Sequence, residues 1–373
     1  MNRFDVCVRG AGIVGRSLAL SLARQGLAVA LVSEAAGPQA PARAPDVRAY
    51  ALNAASVSLL GALKVWESLP PSAVTPVHDM RIRGDDAGRL AFSAWQQRVT
   101  ELAWITDAAA LEQALEAAVR YAPHVTLLPE APPAALLALC EGRASATRDA
   151  LGVVFERHDS GHVAIAARLI ASEPHRHVAH QWFRSPDVLA LLPASAPQAG
   201  RTYGLVWSLP QAQAAALLEQ DDAAFEAALT EATRGECGDL RLAPSGGRVA
   251  WPLMLGQARS WCGPGWALLG DAAHVVHPLA GQGLNLGLAD VTALSSVIAG
   301  RELWRPLGDA RLLRRYERAR HLPTRAMGQL TDGLLQLFSN GQAPVRELRN
   351  RGMGLVNRLT PLKRWLTAQA LDS

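Results

Sequence analysis

Six residues near the start of the chain, Gly10-Ala11-Gly12-Ile13-Val14-Gly15, constrain its fold more than any other feature. Phe4 to Arg9 before them predicts a strand, Ile13 to Gln25 a helix, and Leu27 to Ser33 a second strand. Between a strand and a helix a GxGxxG pattern has mechanical meaning. Its first glycine permits the tight turn, the second lets backbone approach a pyrophosphate, and the third lets helix and strand pack closely. Free amides and the positive helix end then hold phosphate. Glu34 follows the second strand, 19 residues after Gly15, where a carboxylate accepts hydrogen bonds from an adenosine ribose. An acid there disfavours a 2′-phosphate, so FAD or NAD fits better than NADP. The competing reading is a turn that merely resembles such a site. Arg16 opposes the helix dipole and faces either phosphate or solvent.

The remaining composition narrows the class. At 373 residues the chain has room for two or three units of ~150 residues each. Apolar residues make up 49% and charged ones 19%, which supports a folded core and excludes disorder. The net charge is +4, with 37 cations set against 33 acids and lysine only at Lys64 and Lys363. A nucleic-acid binder would cluster its cations, so nucleic acid is excluded as a partner. Cys7, Cys140, Cys237 and Cys262 are far apart, which argues against a disulfide framework or a zinc site and for a reducing cytoplasm. No basic-then-apolar leader precedes Phe4, and no stretch has the continuous apolar character of a membrane span.

Helices are expected over Ala54 to Leu69 and Thr106 to Arg120, the second capped by Asp107. Arg81-Ile82-Arg83 and Leu90-Ala91-Phe92 flank Gly84-Asp85-Asp86-Ala87-Gly88, a hairpin signal. Pro129 to Pro133 reads as loop. His162 to Ser172, Val178 to Phe183, Val188 to Leu192 and Tyr203 to Leu209 read as strands, followed by one acidic helical stretch, Gln211 to Thr233. Trp266 to Leu269 reads as a strand, and nearly everything beyond Asp309 as helix.

A second cluster lies far from the first: Gly270-Asp271-Ala272-Ala273-His274, His277-Pro278, Gly281-Gln282-Gly283-Leu284-Asn285-Leu286-Gly287, then Asp290. Asp271 would emerge at a strand end facing a ligand. Gly281 and Gly283 would expose amides at the start of a helix running to Val297, an end that favours negative charge. An ordinary strand-turn-helix connection explains these glycines but not the Asp, Pro and Asn beside them.

With both clusters in place the chain resembles the class A FAD-dependent aromatic hydroxylases, and most of all those of ubiquinone biosynthesis. Asp46-Val47-Arg48-Ala49-Tyr50-Ala51-Leu52-Asn53 resembles the family's arginine segment, and Leu313 to Arg320 its LxxYExxR helix. Phe338 and Leu348 to Gly352 match its C-terminal helices. The resemblance implies an α/β protein: a Rossmann-like FAD-binding domain of the GR2 type, an inserted mixed or antiparallel-sheet substrate domain, and C-terminal helices. On that plan 1–72, 101–160 and 255–300 build the FAD-binding part. Residues 73–100 and 161–254 build the substrate part, and 301–373 the terminal helices.

It also implies roles. Gly10, Gly12 and Gly15 would hold the FAD pyrophosphate, Glu34 the ribose and Asp271 the ribityl chain. Gly281, Gln282 and Gly283 would present amides to the flavin's pyrimidine edge, while Arg48 and Asn285 would contact the ring. Pro278 and His277 would flank the face where oxygen adds and substrate sits, with His274 behind them. NAD(P)H would bind transiently, reduce FAD, and O₂ would yield a flavin hydroperoxide that hydroxylates a phenolic, polyprenylated quinone precursor. A homo-oligomer is compatible with this plan.

Departures from the family pattern favour a rival reading, a flavin-binding accessory protein with little or no hydroxylase activity. Cys140-Glu141-Gly142-Arg143-Ala144-Ser145-Ala146-Thr147-Arg148 carries Glu where relatives have Asp. Only 20 residues separate Arg120 from Glu141, an interval in which relatives place several strands. Phe183-Arg184-Ser185-Pro186-Asp187 stands before a stretch where relatives carry Gly-Pro.

Other residues point less clearly. On a strand His175 and His177 would share a face and His180 the other, which does not make a metal set. Trp182, Trp207 and Trp251 are candidates for an apolar pocket. Arg346, Arg349, Arg351, Arg358, Lys363 and Arg364 surround an apolar C-terminal stripe. They form either a solvated helix face or a peripheral contact with anionic lipid or a biosynthetic complex at the inner membrane.

Overall fold

Val6-Cys7-Val8 and Val29 to Val32 are apolar without alternation and buried throughout, as strands covered on both faces must be. The structure, a computed structural model, describes residues 4–33, 46–84, 88–244, 247–276 and 282–339; in the last helix, side chains beyond residue 326 are described only at 328 and 333. Its first sheet has six strands in the order Cys262–Gly263, Trp266–Leu268, Ala134–Leu139, Phe4–Arg9, Val29–Val32 and Val125–Leu128. All neighbours run parallel except the first pair. Helices Ile13–Ala23 and Ala108–Arg120 pack on each other beside this sheet. Asp107 caps the second as expected, its carboxylate accepting from the Ala110 amide at 3.1 Å. The helix expected to reach Leu69 stops at Ala62, because Lys64 turns left-handed at φ 62°.

The short interval before Glu141 yields two of these strands. Residues 129–133 carry the chain from the edge strand Val125–Leu128 to the central strand Ala134–Leu139. A parallel crossover commonly takes about a dozen residues or more. Three prolines, with φ restricted to about −65°, favour the extended backbone that so short a crossing needs.

The second sheet has nine strands. Val178–Arg184, Asp187–Ala194, Thr202–Pro210, Phe155–Ala171 and Val249–Ala258 form its antiparallel middle, and the hairpin Asp79–Arg83 with Arg89–Ser93 joins in parallel through Val178–Arg184. The hairpin's turn residues 85–87 lie outside the described residues. The acidic stretch is two helices, Gln211–Glu219 and Asp222–Thr233: Gln220 is extended, and Asp221 starts the second by accepting from the Ala224 amide at 2.8 Å. Leu191, Leu205, Trp182 and Trp207 meet Phe225 and Leu229 in one core on the helix-covered face. Trp182 and Trp207 are therefore core residues, not pocket walls.

The histidines also depart from expectation. The strand begins only at Val178, since Arg176 and His177 have positive φ. His175 Nδ1 accepts from the His177 amide at 3.0 Å, His177 Nδ1 meets the Pro76 carbonyl at 3.1 Å, and His180 stacks on Trp182. A third, three-stranded sheet of Ala49–Leu52, Ala103–Asp107 and Val74–Val77 contacts both larger parts. No helix among the described residues is long and apolar enough to cross a membrane.

One buried carboxylate ties the second glycine cluster together. Asp290, in helix Gln282–Ala299, accepts from the Gly270 amide at 2.9 Å and from Arg320 Nε at 2.8 Å, and pairs with His274 Nε2 at 2.6 Å. Burial pushes its carboxyl up, but His274 and Arg320 outweigh burial and hold it below the ordinary value. Its contribution to stability is thus full above the ordinary aspartate pKa and is lost as pH falls through the lowered one. Asp290→Ala leaves Arg320 buried without its counter-charge, held only by the Leu286 carbonyl at 3.3 Å among the described residues, and should cost about 3–5 kcal/mol in urea denaturation. A loss below ~1 kcal/mol would show that this carboxylate does not lock the cluster.

Candidate active site

The three glycines of the first cluster do three different things. Gly10 has φ 101°, and a Cβ there would stand 2.3 Å from the Cys140 carbonyl oxygen. A Cβ on Gly15 would stand 1.8 Å from the Gly10 carbonyl oxygen, so helix and strand touch through bare backbone. Gly12 has no heavy atom within 4 Å of such a position and opens on a cavity. It is also the N-cap of Ile13–Ala23, with no side-chain cap and no acid in the first turn. Those helix-start amides are left for a ligand. Arg16 turns neither to phosphate nor to solvent: it donates to the Glu112 carbonyl at 3.1 Å and to Glu116 at 3.5 Å.

The second cluster reaches the same cavity. Asp271 follows Gly270, which has φ 59°, and its carboxylate lines the cavity without a hydrogen bond to any described residue. Burial raises its carboxyl, opposed by His274 and Arg143. Gly283 opens on the cavity with nothing within 4 Å of a Cβ position, while the side-chain amide oxygen Oε1 of Gln282 is buried with no partner among the described residues. His274 stands behind this surface on Asp290 and Trp261.

Two expected contacts take another form. Asn285 does not line the cavity; its Oδ1 accepts from the Asn53 amide at 3.0 Å and Ser56 Oγ at 2.8 Å, and its Nδ2 donates to the Ala51 carbonyl at 2.8 Å. It ties the arginine segment to helix Gln282–Ala299. Arg48 lines the cavity held by Asp46 at 2.6 Å and Glu112 at 3.3 Å. Glu141 is engaged too: it pairs with Arg9 at 2.9 Å and accepts from Ser145 Oγ at 2.5 Å and Thr147 Oγ1 at 2.7 Å. Its carboxylate braces the turn that puts Gly142 and Arg143 on the cavity. Glu34, His277, Pro278 and Gly281 lie outside the described residues, as do the C-terminal arginines and Lys363.

The cavity measures about 650 Å³, a volume ordinary for ligand sites. Much of its remaining lining is apolar: Trp251, Leu253, Ala166, Ala190 and Val206 from the nine-stranded sheet, and Leu284 from helix Gln282–Ala299. Sequence reasoning missed Tyr50, Glu112 and Gln181, which also line it. Both faces of the middle sheet are buried, so alternation along a strand did not reveal which face lines a cavity.

These residues fit FAD: uncapped amides and a bare glycine for a pyrophosphate, and an unpartnered carboxylate for a polyol. Asp271→Ala removes a charged acceptor worth roughly 1.5–3 kcal/mol and should weaken FAD binding about 10- to 150-fold in a titration of FAD-stripped protein. Unchanged affinity would remove Asp271 from the site.

Comparison with known proteins agrees with this geometry. A family described as FAD binding domain matches residues 133–331. Ubiquinone hydroxylase UbiL of Rhodospirillum rubrum is 30% identical, over 99% of this chain and 90% of that protein. The 3-demethoxyubiquinol 3-hydroxylase of Escherichia coli is 29% identical, over 98% of each. Among solved structures, Klebsiella pneumoniae HpxO complexed with FAD and uric acid superposes with a TM-score of 0.71 at 18% identity, covering 98% of this chain and 97% of that one. PqsL of Pseudomonas aeruginosa, in complex with 2-aminobenzoylacetate, gives 0.75 at 18%, covering 95% and 100%. The matched FAD-binding region and the full-length likeness to UbiL place this chain in the family of FAD-dependent monooxygenases that are the hydroxylases of ubiquinone biosynthesis.

Proposed function

We propose that this protein hydroxylates the phenolic ring of an isoprenoid-tailed quinone precursor, consuming NAD(P)H and O₂. The observation that carries the reading is the continuity of one cavity, from the uncapped helix start at Gly12, past Asp271, into the apolar space beside Trp251. FAD, when bound, would supply the redox chemistry of such a reaction, in which NAD(P)H gives two electrons, one atom of O₂ enters the ring and the other leaves as water.

The chain's own part is binding, orientation and exclusion of water. Gly10, Gly12 and Gly15 would let backbone amides meet the pyrophosphate, and Glu34 the adenosine ribose. Asp271 would accept from the ribityl hydroxyls, and Arg48 would lie against the flavin. Gly281, Gln282 and Gly283 would turn amides and the positive helix end toward the pyrimidine edge, where negative charge develops on reduction. His277 and Pro278 would border the reacting face. The apolar walls exclude water and accept a ring whose tail is hydrocarbon.

The FAD-loaded protein should oxidise NAD(P)H faster when 2-geranylphenol is added, with one oxygen atom appearing in the ring by mass spectrometry. Oxidation that no tested phenol accelerates, with no hydroxylated product, would favour the accessory role instead. We also infer a cytoplasmic protein that meets the inner membrane peripherally, because the substrate's tail is lipid-soluble and Arg346, Arg349, Arg351, Arg358, Lys363 and Arg364 form a basic C-terminal stretch. Trimming the chain after Gly341 should then lower co-sedimentation with anionic liposomes at low salt. Equal sedimentation of both forms would remove the membrane contact.

A further inference from the structure

The substrate half of the cavity is walled by the middle sheet, and strand register identifies the side chains that face it. Ala166 pairs with Val206, Val206 with Ala190, and Ala190 with Gln181, and all four line the cavity. Directly paired residues share a face of a sheet, and successive residues alternate. Gln181 therefore projects on the cavity side. Its neighbours His180 and Trp182 stack on each other on the opposite face, where Trp182 packs with Leu191 and Leu205.

On this wall Gln181 stands among alanine, valine, leucine and methionine. The sheet brings two other hydrogen-bonding side chains to the cavity lining among the described residues, the Trp251 indole and His180, and the His180 ring is stacked on Trp182. Gln181 is 7% exposed, and its amide hydrogen-bonds to no described residue. A primary amide has two donors and an acceptor with two lone pairs, and leaving them unmade in an apolar setting is costly. The charged groups of the cavity, Arg48, Glu112, Arg143 and Asp271, come from other elements than the nine-stranded sheet.

We propose that Gln181 is the specificity-determining residue of the substrate pocket, its amide holding the hydroxyl oxygen of the ring and so deciding which ring carbon faces the cofactor. The assignment rests on the proposed function, since it takes the apolar half of the cavity as the ring's seat. A site built to bond a hydroxyl discriminates against the analogue that lacks it, because the amide is then left without a partner. Gln181 thus selects a ring by its oxygen, while the alanines beside it leave room for the rest.

The test uses FAD-loaded protein, with 2-geranylphenol and its deoxygenated counterpart geranylbenzene as probes and the flavin absorbance change as the binding signal. Gln181→Met keeps length and volume but removes the amide. It should weaken 2-geranylphenol about 10-fold and leave geranylbenzene unchanged. The single hydroxylation product should give way to several, with peroxide released in place of product. Gln181→Asn, which keeps an amide on a shorter stem, should restore part of the discrimination. Equal loss for both probes, or no loss for either, overturns the assignment. If the wild-type protein takes neither probe although its flavin is bound, the proposed function fails and this inference with it. If the wild type hydroxylates 2-geranylphenol and Gln181→Met does so with the same affinity and product, the Gln181 assignment alone fails.

Discussion

At the first glycine cluster, helix and sheet meet through bare backbone. Helix Ile13–Ala23 starts where Gly15 lies against the Gly10 carbonyl and Gly10 against the carbonyl of Cys140. Any side chain at either glycine would push the helix off the sheet and turn its first amides away from the cavity. That approach also joins the first strand to Ala134–Leu139, and so brings Gly142 and Arg143 to the same opening.

The second glycine cluster relies on polar groups in the interior. Asp290 draws Gly270, His274 and Arg320 onto one carboxylate, and Asn285 draws in the arginine segment through Ala51, Asn53 and Ser56. Both residues sit in helix Gln282–Ala299, one turn or so apart, so a single helix positions Asp271 and the strand Ala49–Leu52 relative to each other. Buried polar groups with all their partners in place specify one arrangement more sharply than apolar contact does. Glu141 works in the same way at the opposite lip, where its longer side chain reaches Arg9, Ser145 and Thr147. The substitution of Glu for Asp thus leaves the cavity-facing turn braced, and no longer argues for the accessory reading.

The sheet wall obeys a different rule. Its residues are placed by pairing register, and their chemistry follows from which face the register exposes. Alanines at 166, 179 and 190 make the wall thin where the cavity is, while leucines and tryptophans thicken the other face beneath two helices. One sheet thereby carries both a helix-covered core and part of the lining of the cavity.

The glycine spacing, the strand and helix around it, the Asp107 cap and the second cluster were legible in the chain because each is local: a turn, a cap or a helix start is decided by residues within a few positions. Much of the architecture followed from those local signals and from resemblance. What local pattern did not contain was direction and partnership. The sequence does not say that Asn285 would turn from the cavity toward Asn53, that Trp182 and Trp207 would face the core while Trp251 faced the pocket, or that Gln181 would stand unpartnered in an apolar wall. Those outcomes depend on strands and helices distant in sequence settling into one register. Only tertiary packing sets that register, because the buried middle strands are apolar on both faces and carry no local mark of which side is which.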